Sequence, residues 1–255
     1  MSSNKSVTLN RSLKASWIVA ALRLRASSSD LETAKAELEA LIGQDIQGKE
    51  SIRKSLRYLR QLWLEPHPEH GDLQNEAIGL YKEHPTFGNA CFLSYFMLIT
   101  IYPFAREVAE VCGQLNRLQG TVKTEQIKRK IAGIHGEREQ VLRSARCVVF
   151  AFVELGMLQT ADKKGVYFAA KVALNGYRSA AFALNALLCS LGGKSDVGRS
   201  ELEGHPGFFA FDAHALVEQA IHDRKFIISR ESMSREIITK VSCRDAAPEP
   251  RLMQV

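Results

Sequence analysis

A mainly α-helical fold is predicted, with a helical N-terminal part, a winged helix-turn-helix carrying one small β-hairpin, and a C-terminal helical extension. Three observations predict it. Apolar residues recur at three- and four-residue spacing along most of the 255 residues, the mark of amphipathic helices. Glycine and proline interrupt that pattern where helix connections are needed. Between residues 121 and 170 the pattern becomes two helices around a glycine-bearing turn, followed by a polar turn between two short apolar runs.

Ser12 to Ala26 places Leu13, Trp17, Ala20 and Leu24 on one helical face. Ser29-Asp30-Leu31-Glu32 has the capping-box pattern, a hydroxyl at the cap and a carboxylate three residues on. The helix after it is expected to stop at Gly43. A polar turn, Gln44 to Gly48, leads into a third helix over Lys49 to Leu64. Pro66, Pro68 and Gly71 then break the chain, so residues 1–65 form an N-terminal helical region.

Leu73 to Lys82, the apolar run Ala90 to Ala105, and Arg106 to Leu118 make up central apolar helices over 72–120. Ala90 to Ala105 is shorter than the roughly 20 residues of a bilayer span and carries Pro103 near its end. It reads as a buried helix, with Phe92, Tyr95, Phe96 and Tyr102 in the core.

In the winged helix-turn-helix, residues 121–170, helices over Thr124 to Ala132 and Glu137 to Leu155 flank Gly133-Ile134-His135-Gly136. Gly156 ends the second helix as a left-handed cap. Ala161-Asp162-Lys163-Lys164-Gly165 closes a hairpin between Met157–Thr160 and Val166–Ala170. The C-terminal helical region, 171–242, begins with a small-residue helix, Asn175 to Leu191, and a loop, Gly192 to Gly207. Asp212 to Asp223 reads as helix, Phe226 to Ser229 as a short strand and Ser232 to Val241 as helix. Residues 243–255, with Pro248 and Pro250, read as a disordered tail.

Charge and composition narrow the function classes. The 34 Lys and Arg against 28 Asp and Glu leave a net charge of +6, which favours a polyanionic partner. Five cysteines, Cys91, Cys112, Cys147, Cys189 and Cys243, lie far apart with no CxxC pair. Neither a structural zinc nor a disulfide framework is expected from that spacing. Met1 to Asn10 is polar and lacks the apolar stretch of a secretory signal, so a cytoplasmic protein without a membrane partner is expected.

Catalytic motifs fail on inspection. Gly192-Gly193-Lys194-Ser195 ends like a phosphate loop, but Leu188 stands where its first glycine is needed. His67 and His70 flank Pro68-Glu69 in a loop, with no matched acidic or cysteine partner for a metal site. His205, His214 and His222 lie apart, with no Gly-x-Ser-x-Gly elbow to supply a nucleophile. Cys147 falls inside the second central helix, where a structural role is simpler. No catalytic residue, metal or cofactor is expected.

The basic residues are more informative. Residues 120–150 hold seven Lys and Arg against three Asp and Glu. On the second central helix Val141, Ala145, Val148, Val149 and Phe152 share one apolar face, and Glu139, Gln140, Arg143 and Arg146 fall on the flanks or opposite side. Arg138, Gln140, Arg143 and Arg146 are therefore expected to present to a DNA groove, since Arg and Gln can read purine edges bidentately. Lys163 and Lys164, at the hairpin tip, suit backbone phosphates. A second basic surface is expected on the third helix, where Lys49, Arg53, Arg57 and Arg60 cluster beside the apolar face of Ile52, Leu56, Leu59 and Trp63.

Double-stranded DNA is the expected partner. Two other classes stay open on the residues alone. One is a protein- or RNA-binding subunit docking through the helix Ala180 to Leu191, and the other is an enzyme with a site assembled from scattered residues.

The layout also resembles a known family. A helical N-terminal part has a basic third helix, and an apolar helix ends in Tyr102-Pro103-Phe104. A helix-turn-helix then leads into Glu154-Leu155-Gly156-Met157-Leu158. Over roughly residues 10–170 this is similar to the A component of bacteriophage-exclusion (BREX) defence systems. The resemblance implies a nearly all-helical protein that binds DNA through helix-turn-helix units, has no enzymatic activity of its own, and works beside other subunits of a defence complex. The 85 or so residues beyond the hairpin depart from that pattern. Gly156 to Phe168 also resembles the turn and wing of many unrelated bacterial transcriptional regulators.

Overall fold

The computed structural model describes residues 9–27, 30–174, 176–232 and 235–241. It is mainly helical, with two small three-stranded antiparallel sheets among the described residues.

The N-terminal helices are α1 (Ala15–Ala26), α2 (Leu31–Asp45) and α3 (Lys49–Leu59). The cap of α2 is Asp30, one residue later than expected; Ser29 lies outside the described residues. Asp30 Oδ1 accepts from Glu32 N (2.9 Å) and Thr33 N (3.1 Å), and a carboxylate there also suits the positive end of the helix. The helix does not stop at Gly43. One internal glycine costs about 1 kcal/mol, and Asp45 at the helix end is held by Lys14 Nζ (2.6 Å) and Trp17 Nε1 (2.8 Å).

The third helix runs on through a π-helical turn, Arg60–Leu64. A widened turn leaves carbonyls short of partners. The buried Gln74 side chain supplies them, its Nε2 donating to Leu62 O (3.0 Å), Gln61 O (3.3 Å) and Glu65 O (3.3 Å).

Next come α4 (Gly71–Glu83), α5 (Phe87–Ile101) and α6 (Pro103–Gln119). Pro103 is the first residue of α6, where its missing N–H costs nothing, and the two helix axes turn by 113° there. Among the described residues no single helix is long and apolar enough to cross a membrane. The chain continues through β1 (Val122–Lys123), α7 (Thr124–His135), α8 (Glu139–Glu154), β2 (Leu158–Thr160) and β3 (Val166–Ala169). The expected hairpin is β2–β3. The sequence reading missed β1, whose two residues pair with the outer side of β3 (Val122 with Tyr167, Lys123 with Val166) to give the order β1-β3-β2.

Two expectations fail in the C-terminal region. Gly192 to Gly207 is not a plain loop. After α9 (Tyr177–Ser190) it forms β4 (Asp196–Gly198) and α10 (Arg199–Glu203), and a 3-10 turn (Pro206–Phe208) overlaps its end. Following α11 (Ala213–Ala220) and β5 (Phe226–Ser232), the predicted helix from Ser232 to Val241 is instead strand β6 (Arg235–Lys240). Three consecutive β-branched residues, Ile237, Ile238 and Thr239, favour extended backbone. Pairing on both edges completes the order β4-β6-β5, with Ile238 fully buried. The expected tail at 243–255 lies outside the described residues.

One continuous buried cluster runs from Leu9 to Ile238, so the break at residues 65–72 does not divide the core. Its centre is α5. Tyr95 and Phe96 are fully buried and surrounded by Phe92, Phe152, Phe182, Phe208, Phe209 and Phe211, with ring centroids 5.1–6.5 Å apart. The helix proposed as a docking face is itself core: Ala180 to Leu184 and Ala186 to Leu188 have no exposed surface.

Two stability predictions follow from this packing. At Gly113, in α6, an added Cβ meets Pro206 O at 2.1 Å, whereas at Gly79, in α4, it meets nothing within 4 Å. Gly113→Ala should destabilise by about 3 kcal/mol through backbone overlap, and Gly79→Ala should stabilise by about 0.5–1 kcal/mol; urea denaturation of both variants checks the pair.

Arg199 holds three glutamates: its Nε donates to Glu203 (2.8 Å), its Nη1 to Glu236 (3.1 Å) and its Nη2 to Glu218. Hydrogen bonds from Arg199 keep Glu218 and Glu236 below the ordinary value of 4.5. At Glu203, burial pushes upward but Arg199 and His214 outweigh it. Depressed carboxylates stabilise above their unfolded value and lose that contribution as pH falls through the folded one. The melting temperature should therefore drop on acidification below about pH 4.5, and Arg199→Met should be less stable at pH 7 with a shallower acid limb.

Candidate nucleic-acid interface

The packing of α8 decides which of its residues reach solvent. Val141, Ala145, Val148, Val149 and Phe152 are buried as expected. This leaves Arg138, Gln140, Arg143 and Arg146 exposed. Gly136, with φ +84°, makes the turn between α7 and α8. Arg138 caps α8, its Nη2 donating to His135 O at 3.1 Å. Among the described residues, no acidic side chain pairs with Arg138, Arg143 or Arg146.

The hairpin tip is tied back to the start of α7. Thr124 N donates to Gly165 O (2.9 Å), and within the turn Val166 N donates to Lys163 O (3.1 Å). Gly165 adopts φ +77°, a conformation that costs a residue with a Cβ. Lys163 and Lys164 stand exposed at this anchored tip, with no ion pair among the described residues. The α7 face adds Arg129 and Lys130, exposed and likewise without an ion pair, which the sequence reading did not single out. Lys128 beside them is bound by Glu125 at 2.6 Å.

The basic surface on α3 is weaker than its count of cations implied. Glu50 receives both nitrogens of an Arg53 fork at 2.9 Å and Lys54 at 3.0 Å. The hydrogen bonds from Arg53 and Lys54 pull the Glu50 carboxyl down to about 2. Arg60 pairs with Glu65, and the Arg57 guanidinium lies over the Tyr58 ring, 5.1 Å from its centroid. Of the four expected residues, Lys49 alone has neither an ion pair nor a ring partner among the described residues.

The two predicted basic surfaces do not merge. A groove of about 770 Å³ separates the elements that carry them, lined by Arg143, Arg146 and Cys147 of α8 and by Ser51 and Ser55 of α3. Asn10, Arg11 and Ser12, just before α1, and the α2–α3 turn complete it. Lys49, Arg53, Arg57 and Arg60 do not line it. The last three border a separate depression of about 160 Å³. Ser51 and Arg53 are two residues apart, more than half a helical turn.

A cavity of about 850 Å³ lies at the α5–α6 bend, between the π turn and the end of α7. Most of its polar side chains are engaged within the chain. His135 is bonded to Glu107, Tyr102 donates to Tyr58 O (3.2 Å), Arg60 binds Glu65, and Arg106 donates to Ser190 O. His67 and His70 stack on each other with ring centroids 4.8 Å apart. No group of three or more His, Cys, Asp or Glu that could hold a metal ion is found among the described residues. Burial raises the thiols of Cys91, Cys112 and Cys147 above their ordinary value, which makes them poor nucleophiles. Cys243 lies outside the described residues.

No protein-family model matches the chain, and no curated protein or solved structure is significantly similar to it.

Proposed function

We propose that the protein binds double-stranded DNA without acting on it chemically, using residues 121–170 as a winged helix-turn-helix. The observation that carries this reading is the order α6-β1-α7-α8-β2-β3, with its strands paired β1-β3-β2 and an exposed cationic face on α8 that has no ion pair among the described residues. In such a unit the second helix of the turn enters the major groove and the hairpin touches the adjacent backbone. Arg138, Gln140, Arg143 and Arg146 are the groove-facing residues, and Lys163 and Lys164 hold phosphates. Arg129 and Lys130 add charge on the neighbouring helix. Lys49, Arg53, Arg57 and Arg60 form an outlying basic surface, partly neutralised by Glu50 and Glu65.

Work within a phage-defence complex, beside other subunits, is the biological setting proposed. It rests on the sequence layout shared with the BREX A component. Transcriptional regulation uses the same contacts, so a DNA-binding test addresses both settings.

The test is binding to a labelled duplex of about 30 base pairs over a salt series. Wild type should bind with a steep salt dependence. Arg143→Gln/Arg146→Gln should weaken binding at least tenfold and relax its sequence preference. Lys163→Gln/Lys164→Gln should weaken binding uniformly across sequences. Arg53→Gln/Arg57→Gln should have the smallest effect, since Arg53 already has a carboxylate partner. No binding by wild type at low salt would overturn the reading.

A further inference from the structure

The groove between α3 and α8 has the chemistry of an anion receptor. Three arginines, Arg11, Arg143 and Arg146, line it beside Cys147. Arg143 and Arg146 are exposed and have no carboxylate partner among the described residues. Arg11 is half-buried. Its Nη1 donates to Asn10 O at 3.3 Å, but its Nε is shut off from solvent with no hydrogen-bond partner. A buried guanidinium N–H without an acceptor is costly, and an oxygen-rich ligand in the groove would remove that cost once the side chain turned toward it.

Neutral donors surround these cations. The Asn10 side-chain oxygen accepts from Tyr58 Oη (3.0 Å), which orients the amide. The Ser12 hydroxyl makes only a long contact, 3.8 Å, with Cys147 Sγ. Ser51 adds a second hydroxyl from α3. Asp45, the one lining carboxylate among the described residues, is already bound by Lys14 and Trp17. The charge left facing the groove is therefore positive.

We propose that this groove seats the sugar-phosphate backbone of a DNA strand, clamped between the N-terminal helices and α8. Arg11 and Arg146 bind phosphate oxygens, and Asn10, Ser12 and Ser51 donate to the same strand. This rests on the DNA-binding reading and changes its substrate contact: the N-terminal region supplies one wall of the interface, and Arg11 is a phosphate-binding residue. A concave seat suits a backbone strand, whereas base edges are reached by the protruding start of α8.

Fluorescence anisotropy on the full chain tests this, with a 30-base-pair duplex and the matching 30-nucleotide single strand as probes. Arg11→Gln should weaken duplex binding about tenfold, as for loss of one charge-assisted hydrogen bond. It should also lower the salt slope by about 0.9. Arg11→Lys should restore most of the salt slope, and thermal melts of both variants confirm the fold. Duplex binding by wild type that Arg11→Gln leaves unchanged, while Arg143→Gln/Arg146→Gln weakens it, would overturn the groove proposal and leave the DNA reading standing. Arg11-dependent binding of the single strand alone would keep the groove and overturn the duplex reading. No binding of either probe by wild type at low salt would overturn both.

Discussion

Burial of α5 is the constraint on which the rest of the structure depends. A helix whose residues from Asn89 to Thr100 are all buried must be covered on every side, and elements from both ends of the chain supply the cover. The N-terminal α1, the small-residue α9 and the aromatic 208–211 segment all pack against it or its neighbours. Tyr95 shows how strict the arrangement is: its hydroxyl, fully buried, donates to Gly207 O at 2.6 Å across 112 residues of sequence. That bond ties the 3-10 turn to α5, while on α6 Gly113 leaves room for the Pro206 backbone. The bend at Pro103 then directs α6 away from α5, and α6 is the helix on which β1, α7 and α8 are built. Exposure of the α8 face thus follows from a core packed some distance from it.

Local charge pairing decides which cations remain for a partner. Arg53, Lys54 and Arg60 have carboxylates within their own helix or its exit turn, and Arg199 is enclosed by three glutamates from α10, α11 and β6. Exposed pairs of this kind contribute little to stability, but they reduce the field a polyanion feels. The arginines of α8 and the lysines of the hairpin tip have no such partners among the described residues. The net charge of +6 is therefore unevenly available to a partner.

Helices were legible in the sequence because their apolar stripes are local. Trp17, Ala20 and Leu24 on α1 with Leu13 just before it, and Val141, Ala145, Val148, Val149 and Phe152 on α8, are buried as their spacing implied. The misread elements depend on distant partners. A two-residue β1 carries no periodicity, and exists only because β3 lies beside it. Arg235 to Lys240 has enough charge to pass for an amphipathic helix until β4 and β5 pair with both of its edges. The failure at Gly43 is of the same kind, since the last turn of α2 is secured by Trp17 and Lys14 from another helix. In the candidate site, Arg138, Gln140, Arg143, Arg146, Lys163 and Lys164 were legible because a helix face and a turn are local patterns. Arg11 was not, because Asn10 to Ser12 reaches α8 only through the folding of the N-terminal helices.

The sequence by itself determined the helical character, the apolar faces of α1 and α8, the β2–β3 hairpin, and the position of the cationic residues along the chain; on α3 it missed the buried Ser55 and Tyr58, and the expected Ile52 and Leu56 are only half-buried. Each is set by side chains within about two helical turns of one another, the range over which periodicity and turn chemistry act. Tertiary structure alone decided the third strand of each sheet, the burial of α9, and which arginines meet in the groove between α3 and α8. Those outcomes depend on closing contacts across many tens of residues, and only the packing of the whole chain around α5 brings such segments together.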